Sequence, residues 1–362
     1  MEFIPVYQPS LAGNEKKYVN DCIDSGWISG KGKYVSEFEN SFAKYIGIRH
    51  ATSVCNGTIA LHLALLALGV GPGDEVIVPT FTYIASVNAI LYVGAKPVFV
   101  DSCPDSWQID PAEVKRKITS NTKAIMAVHL YGHPCDMGTL IAIAKEHRVF
   151  LVEDCAEALG SLFRGRHVAT FGDIAAFSFY GNKTITTGEG GMVVTNDSLL
   201  HERACHFKGQ GLAKYREYWH DQVGYNFRMT NVSAAIGLAQ LERADELIAK
   251  KLEIAKEYDE CLKRTVFQTH KPVGDVCHSY WMYSVLVPEM EVRDQVRDHL
   301  RKANIETRPT FYPVHTMPMY AAKFERHQVA ENIALRGINL PSYPGLTKEQ
   351  IKYITDTIKQ SL

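Results

Sequence analysis

Residues 172–191 read GDIAAFSFYGNKTITTGEGG and carry a single lysine, Lys183, between two apolar runs. The first run predicts a strand at 174–179 that ends in a short polar turn containing this lysine. A glycine-rich segment then leads into a second predicted strand at 192–194. Burial and nearby positive charge lower the pKa of a lysine, so that the neutral, nucleophilic amine is available at pH 7. Lys183 is therefore a candidate Schiff-base former, although most lysines are solvated surface charges.

The surrounding sequence, from about residue 50 to 200, alternates short apolar runs with helical patterns. Helices on both faces of a sheet are expected, because the runs are apolar nearly throughout. Such alternation is typical of an α/β layer with right-handed crossovers. Further strands are predicted at 75–78, 97–100, 124–128 and 149–152, and helices at 58–68, 84–93, 111–118, 137–147 and 197–207.

The C-terminal part of the chain has a different pattern. Apolar residues at mixed three- and four-residue spacing predict one long helix over 234–260. A strand at 280–287 and helices at 293–303 and 348–359 follow. We therefore expect a large α/β domain at 1–249 and a smaller α+β domain at 250–362.

Composition excludes several classes of protein. The formal net charge of -1 argues against a nucleic-acid-binding protein, whose basic face would show in the balance. The N-terminus has no signal-peptide pattern, and the longest apolar stretch, 59–70, is too short to span a membrane. The eight cysteines are scattered and form no C-x-x-C pair. A cytoplasmic protein with reduced thiols, and without a metal site, is the expectation.

Polar residues at predicted strand ends are the candidate site. Asp154 follows the strand at 149–152, and ligands of α/β sheets bind at the carboxyl ends of strands. A carboxylate there can pair with a protonated pyridine nitrogen, so that the ring accepts electrons from a carbanion. Taken alone, Asp154 is as well explained as a cap of the next helix.

Three further signals follow the same logic. Asn56, Gly57 and Thr58 directly precede an apolar helix, and free N–H groups at a helix start bind phosphate. Ser178 precedes Lys183 by five residues and can donate a hydroxyl to the same phosphate. Tyr83 follows the strand at 75–78, where an aromatic ring can stack on a flat cofactor or simply join the core. Each signal is ambiguous by itself, but their order along the chain is hard to obtain by chance.

This order resembles the fold-type I, pyridoxal-phosphate-dependent sugar aminotransferases of the DegT/DnrJ/EryC1/StrS family. The resemblance runs over essentially the whole length. Two further segments, GHPCDM (132–137) and ETRPTFYPVHTMP (306–318), resemble the subgroup that makes GDP-perosamine. The segments that carry the family resemblance are WISGKG (27–32), NGTIALHLA (56–64), GDEVIVP (73–79), HLYG (129–132), EDCAEA (153–158), FSF (177–179), Lys183, GEGG (188–191) and GYNFRMTN (224–231).

The resemblance assigns roles in binding pyridoxal 5'-phosphate. It implies that Lys183 holds the cofactor covalently and later moves protons, and that Asp154 pairs with the pyridine nitrogen. It also implies that Tyr83 stacks on the ring, and that Gly57, Thr58 and Ser178 hold the phosphate. Glu157 stands where many relatives have histidine or glutamine near the ring oxygen. A glutamate beside a phenolate must be protonated or paired.

The remaining assignments concern substrate and subunits. Asn226 resembles a residue that reaches the phosphate from the neighbouring subunit, which implies a homodimer or a tetramer built from dimers. Arg228, in the same segment, would hold an anionic group or brace the interface. Arg308, Tyr312 and His315 resemble substrate-pocket residues of the smaller domain.

The implied reaction is amino transfer in two halves. L-glutamate would donate its amino group to the cofactor, which would become pyridoxamine phosphate. This form would then aminate C4 of GDP-4-keto-6-deoxy-D-mannose for a surface polysaccharide such as O-antigen. Relatives with histidine at the lysine position are dehydratases, so Lys183 favours aminotransfer. A dTDP- or UDP-linked ketosugar aminated at C3 or C4 remains open, and a non-catalytic regulator that senses an amino acid is a distant alternative. No G-x-G-x-x-G follows a first strand, which disfavours a nicotinamide dehydrogenase.

Overall fold

A seven-stranded mixed sheet forms the centre of the protein in the computed structural model, which describes residues 2–321 and 325–362. The strands of the described chain are β1 (His50–Val54), β2 (Glu75–Pro79), β3 (Lys96–Val100), β4 (Thr122–Val128), β5 (Phe150–Asp154), β6 (Leu162–Phe163), β7 (Arg166–His167), β8 (Ile174–Ser178), β9 (Gly191–Thr195), β10 (Gln268–Thr269), β11 (Val276–Cys277), β12 (Tyr283–Leu286), β13 (Arg308–Pro309) and β14 (Gly337–Leu340).

Helices flank this sheet and continue into the C-terminal part. The predicted helices between residues 57 and 208 all form, with ends that differ by at most one residue. The helices of the described chain are α1 (Glu15–Ser25), α2 (Lys33–Ile46), α3 (Gly57–Leu68), α4 (Ile84–Tyr92), α5 (Pro111–Lys117), α6 (Met137–His147), α7 (Ser198–Lys208), α8 (Asn231–Leu241), α9 (Ala244–Leu262), α10 (Arg293–Lys302), α11 (Gln328–Arg336) and α12 (Lys348–Lys359).

The sheet order is β1-β9-β8-β5-β4-β2-β3. Strands β3, β2, β4, β5 and β8 run parallel, whereas β9 pairs antiparallel with both β8 and β1. Adjacent residues pack into different cores on the two faces: Val193 joins one cluster and Val194 the other. The predicted α/β fold, with a mostly parallel sheet covered by helices on both faces, is confirmed.

The prediction of one helix over 234–260 is wrong. The structure has two helices, α8 and α9, because the backbone leaves helical geometry at Arg243, where φ is -113° and ψ is 10°. The two side chains at the break contact different parts of the chain. Glu242 accepts hydrogen bonds from Asn14, which precedes α1, and from Tyr18 of α1, each at 2.7 Å, while Arg243 pairs with Glu246 of α9 at 2.8 Å. These tertiary contacts override a helical pattern that continues through the break.

The C-terminal part packs around its own sheet and a separate apolar cluster. Its sheet order is β10-β12-β14-β13, and α9, α10 and α12 contribute to the cluster. Ile4 joins this cluster and pairs with Ile305, so the first residues of the chain pack with the last third. The domain boundary at 249/250 stays a prediction. No helix within the described ranges is both long and apolar enough to cross a membrane.

Candidate active site

Lys183 and Asp154 line the same cavity, which has a volume of about 670 Å³. Asp154 is the last residue of β5, and Lys183 lies in the turn that follows β8. These strands are parallel neighbours, so their carboxyl ends meet at one edge of the sheet. Eight of the residues assigned from sequence line this cavity: Gly57, Thr58, Tyr83, Asp154, Glu157, Ser178, Lys183 and Arg308.

The Asp154 carboxyl group is buried at the base of the cavity. Its Oδ2 accepts a hydrogen bond from Ser86 Oγ at 2.7 Å, and its Oδ1 accepts one from the Ala156 backbone N–H at 3.0 Å. Burial raises the pKa of Asp154, because the charged form is poorly solvated, while these two donors oppose the shift. A cation that entered the cavity would therefore be stabilised by this carboxylate.

The Lys183 amine lies between a carboxylate and an aromatic face. Its Nζ is 3.5 Å from Glu157 Oε1 and 3.7 Å from the centroid of the Trp281 indole. Burial lowers the pKa of Lys183, and the charges of Glu157 and Asp154 oppose that shift. The lowered pKa increases the fraction of neutral amine, which is the form that attacks a carbonyl carbon.

Glu157 is held in place by the backbone of a tight turn. The Tyr131 N–H donates a hydrogen bond to Glu157 Oε2 at 2.8 Å. Tyr131 adopts a left-handed φ of 56°, which is uncommon for a residue with a large side chain. Burial raises the pKa of Glu157 to about 7, with Lys183 and the Tyr131 N–H opposing the shift. This carboxyl group therefore changes charge near neutral pH.

The start of helix α3 forms the other side of the cavity. The Asn56 side chain caps the helix by accepting a hydrogen bond from the Ile59 N–H at 2.9 Å. Gly57 and Thr58 stand at the first turn, where N–H groups lack intrahelical partners and attract anions. A Cβ at Gly57 would lie only 2.6 Å from Ser178 Cβ. Only glycine lets Ser178 approach this helix start.

These residues fit pyridoxal phosphate. The helix start with Thr58 and Ser178 suits its phosphate, and the buried carboxylate of Asp154 suits its ring nitrogen. Lys183 lines the same cavity as these two sites, as a covalent anchor must. Tyr83 is 56% exposed, and its ring centroid lies 5.4 Å from that of Phe311 at the cavity. An exposed ring there is available to cover a flat ligand.

Four of the assigned residues do not line the cavity in the single chain. Arg228 donates a hydrogen bond from Nε to Asn226 Oδ1 at 2.9 Å, and Asn226 is exposed. Their segment runs beside Val54 and Cys55, next to the start of α3. Tyr312 is exposed near Arg293. His315 is buried, with its Nδ1 2.6 Å from Thr80 Oγ1.

Other residues at the cavity were not identified from sequence. Trp281 comes from the segment before β12, Ser86 from α4, and Phe311 and Asn339 from the C-terminal part. The sequence carries no local signal for them, because only tertiary packing brings these segments to the end of the large sheet.

His129, Glu153 and Cys155 form a group of possible metal ligands, and His129 also lines the cavity. The ring nitrogens of His129 and the carboxylate of Glu153 are already engaged in hydrogen bonds. His129 Nε2 lies 3.0 Å from Glu153 Oε2, and His129 Nδ1 accepts a hydrogen bond from the Cys135 N–H at 3.0 Å. Glu153 also accepts three backbone N–H groups from residues 169–172. This arrangement is explained as a buried hydrogen-bond network that supports the β4–β5 edge.

Comparison with known proteins supports the cofactor assignment. The family model of the DegT/DnrJ/EryC1/StrS aminotransferases matches residues 9–359. A GDP-perosamine synthase from Escherichia coli O157:H7 is 60% identical over 360 residues, covering 99% of each chain. One from Vibrio cholerae is 52% identical and covers 98% of each chain.

Solved structures that resemble this chain also include aminotransferases. Helicobacter pylori PseC, an aminotransferase of pseudoaminic acid biosynthesis, matches with a TM-score of 0.94, 28% identity and 99% coverage of both chains. The PLP form of a putative sugar aminotransferase from Streptococcus pneumoniae matches with a TM-score of 0.93 and 30% identity, covering 100% of this chain and 98% of the other. With this match along almost its whole length, the chain belongs to the DegT/DnrJ/EryC1/StrS family of PLP-dependent aminotransferases.

Proposed function

We propose that this enzyme transfers the amino group of L-glutamate to C4 of GDP-4-keto-6-deoxy-D-mannose and so forms GDP-perosamine for a surface polysaccharide. The observation that carries the proposal is the placement of Lys183 and Asp154 in one cavity, within a chain so similar to GDP-perosamine synthases. Amino transfer needs both a lysine that exchanges protons and a carboxylate that stabilises a cationic ring.

Bound pyridoxal phosphate supplies an electron-accepting ring and a carbon that carries the amino group between the two substrates. Lys183 anchors it and, when its amine is free, accepts a proton from Cα of L-glutamate. In the second half-reaction, Lys183 Nζ delivers a proton to C4 of the sugar. Asp154 keeps the ring nitrogen protonated, and Tyr83 covers one ring face. Gly57, Thr58 and Ser178 hold the phosphate at the start of α3.

Glu157 is proposed to donate a hydrogen bond to the ring oxygen in its neutral form. Because its pKa is about 7, the neutral form dominates below pH 7 and is lost as pH rises. Glu157→Gln places a permanent donor at the same position. We expect this variant to keep kcat/KM within about 10-fold of the wild type at pH 6, and to lose the decline near pH 7.

The pH dependence of kcat/KM for the glutamate half-reaction, from pH 5.5 to 9, measures this effect. Glu157→Ala is the matched control, because it removes both the donor and the titrating group. It should lose activity at every pH. An unchanged pH profile in Glu157→Gln would assign the decline to another group.

A homodimer is proposed to complete the active site. Asn226 and Arg228 do not line the cavity of their own chain and lie beside the strand end that precedes α3, as expected of residues that serve a neighbouring subunit. Large apolar side chains are exposed nearby, and contiguous exposed apolar surface is typical of subunit interfaces. They are Trp27, Ile28, Leu212, Tyr215, Tyr218, Trp219 and Val223.

The sugar nucleotide is proposed to enter between the two parts of the chain. Arg308 lines the cavity and is half exposed, and its guanidinium lies 3.5 Å from Glu306 Oε1; we propose that it also binds an anionic or hydroxyl-rich ligand. Tyr312 belongs to the same segment and is exposed, and it is proposed to contact the nucleotide portion. His315 does not line the cavity, and it is proposed to act indirectly, through its hydrogen bond to Thr80.

The proposed function is tested by the visible spectrum of the purified protein. L-glutamate should bleach the absorbance of the bound cofactor, and GDP-4-keto-6-deoxy-D-mannose should restore it after dialysis. Restoration by a dTDP- or UDP-linked ketosugar alone would replace the GDP-sugar assignment. A protein whose spectrum does not respond to any amino donor would favour a non-catalytic regulator.

A further inference from the structure

We infer that Trp281 is a positioning residue for Lys183, and that it holds the lysine turn from the C-terminal part of the chain. The inference rests on the proposed function, because it concerns the lysine that performs the proton transfers.

Trp281 contacts two consecutive residues of the lysine turn. Its indole Nε1–H donates a hydrogen bond to the Asn182 carbonyl oxygen at 2.8 Å. Its ring face lies 3.7 Å from Lys183 Nζ. The side chain is 4% exposed, so the contacts are shielded from water. One donor thus fixes the backbone before Lys183, while the ring limits where its amine can lie.

A second tether reaches the turn from the N-terminus. Tyr7 Oη donates a hydrogen bond to the Lys183 carbonyl oxygen at 2.5 Å. Within the turn, the Lys183 N–H donates to the Tyr180 carbonyl oxygen at 2.9 Å. Side chains from both ends of the chain therefore bind the carbonyls of Asn182 and Lys183. The position of the amine depends on segments far away in sequence.

Trp281 is itself anchored by a buried lysine on α9. Lys251 Nζ donates to the Trp281 carbonyl oxygen at 2.9 Å, and to the Ser342 carbonyl and hydroxyl oxygens at 2.6 Å each. An ammonium group has three donors, and these three neutral oxygens match them. Lys251 is 1% exposed, and burial lowers its pKa to about 7. A buried lysine satisfied in this way fixes the backbone of Trp281 against Ser342.

The ring face also affects the proton affinity of Lys183. An aromatic face favours an ammonium group over a neutral amine, especially in a desolvated site. Trp281 therefore opposes the effect of burial on Lys183. Removing the ring should make the nitrogen of Lys183 release its proton at lower pH, by roughly one pKa unit. A residue that only filled space would not cause this shift.

Two substitutions separate the functions of the indole. Trp281→Phe keeps an aromatic face but loses the N–H donor, so kcat should fall about 10-fold with KM within about 2-fold. The pH titration of the cofactor absorbance should stay within about half a unit of the wild type. Trp281→Leu loses both features, so its titration midpoint should fall by roughly one unit and its kcat by about 100-fold.

The experiment uses the full-length protein with cofactor bound and titrates its visible absorbance without any sugar, alongside kcat and KM. Tyr7→Phe should lower kcat about 5-fold, whereas Tyr258→Phe is the control, since Tyr258 donates a similar hydrogen bond to the Pro341 carbonyl oxygen at 2.8 Å. Equal titration midpoints in Trp281→Leu and the wild type would overturn the inference. The absorbance readout does not depend on the sugar, so an incorrect sugar assignment would leave this test intact.

Discussion

Lys183→Arg is expected to abolish amino transfer, with kcat reduced about 10⁴-fold or more. Arginine keeps the positive charge beside Glu157 and the indole of Trp281, so the local packing is disturbed little. A guanidinium cannot lose its proton near pH 7, and so it can neither attack a carbonyl carbon nor exchange a proton. The glutamate half-reaction, followed by absorbance in a single turnover, measures the loss.

A second readout makes this prediction specific. Borohydride reduction followed by mass spectrometry should attach the cofactor to Lys183 in the wild type and leave the variant unlabelled. Lys145→Arg changes an exposed lysine at the end of α6 and should behave as the wild type. Turnover of Lys183→Arg at the wild-type rate would refute both the assigned role and the proposed mechanism.

Asp154→Asn should lower kcat/KM by about 10²–10³-fold, which is typical for loss of one preorganised electrostatic group. The amide has the same shape but carries no charge, so it cannot keep a ring nitrogen protonated. The effect is expected to be large because the carboxylate is buried, where electrostatic interactions are weakly screened. Single-turnover kinetics with L-glutamate measure it.

Ser86→Ala is the graded comparison for Asp154. It removes the hydroxyl that donates to Asp154 Oδ2 but leaves the charge and the Ala156 N–H donor. We expect a reduction of less than about 10-fold. If Asp154→Asn were no more impaired than Ser86→Ala, the charge of Asp154 would have no catalytic role.

Most of the large sheet and of the helices that cover it could be predicted from sequence, because their signals are local. Apolar runs of strand length and glycines after helices such as α3 set the alternation along the chain, and the structure confirms it. The antiparallel edge strand β1 and the helices α1 and α2 were missed. The break at Arg243 was also missed, because the helical pattern continues through it and only contacts with α1 interrupt it.

The residues of the candidate site could likewise be predicted from sequence only in part. Lys183, Asp154 and Gly57 were identified from sequence because each lies at a strand end or a helix start at the ligand-binding end of the sheet, and Ser178 because it precedes Lys183 by five residues. Glu157 was found through the family resemblance, but its protonation depends on burial and on the Tyr131 N–H.

The order of residues along the chain thus determined most of the fold, the family and the candidate reacting groups, since short-range patterns and strand ends indicate where they lie. Only the tertiary structure decided the position, the hydrogen-bond partners and the pKa values of those groups. Trp281, Tyr7 and Lys251 come from distant segments, and their hydrogen bonds meet only after the C-terminal part has packed on the large sheet. The pKa values of Lys183 and Glu157 arise from the same packing, because burial is a property of the assembled fold.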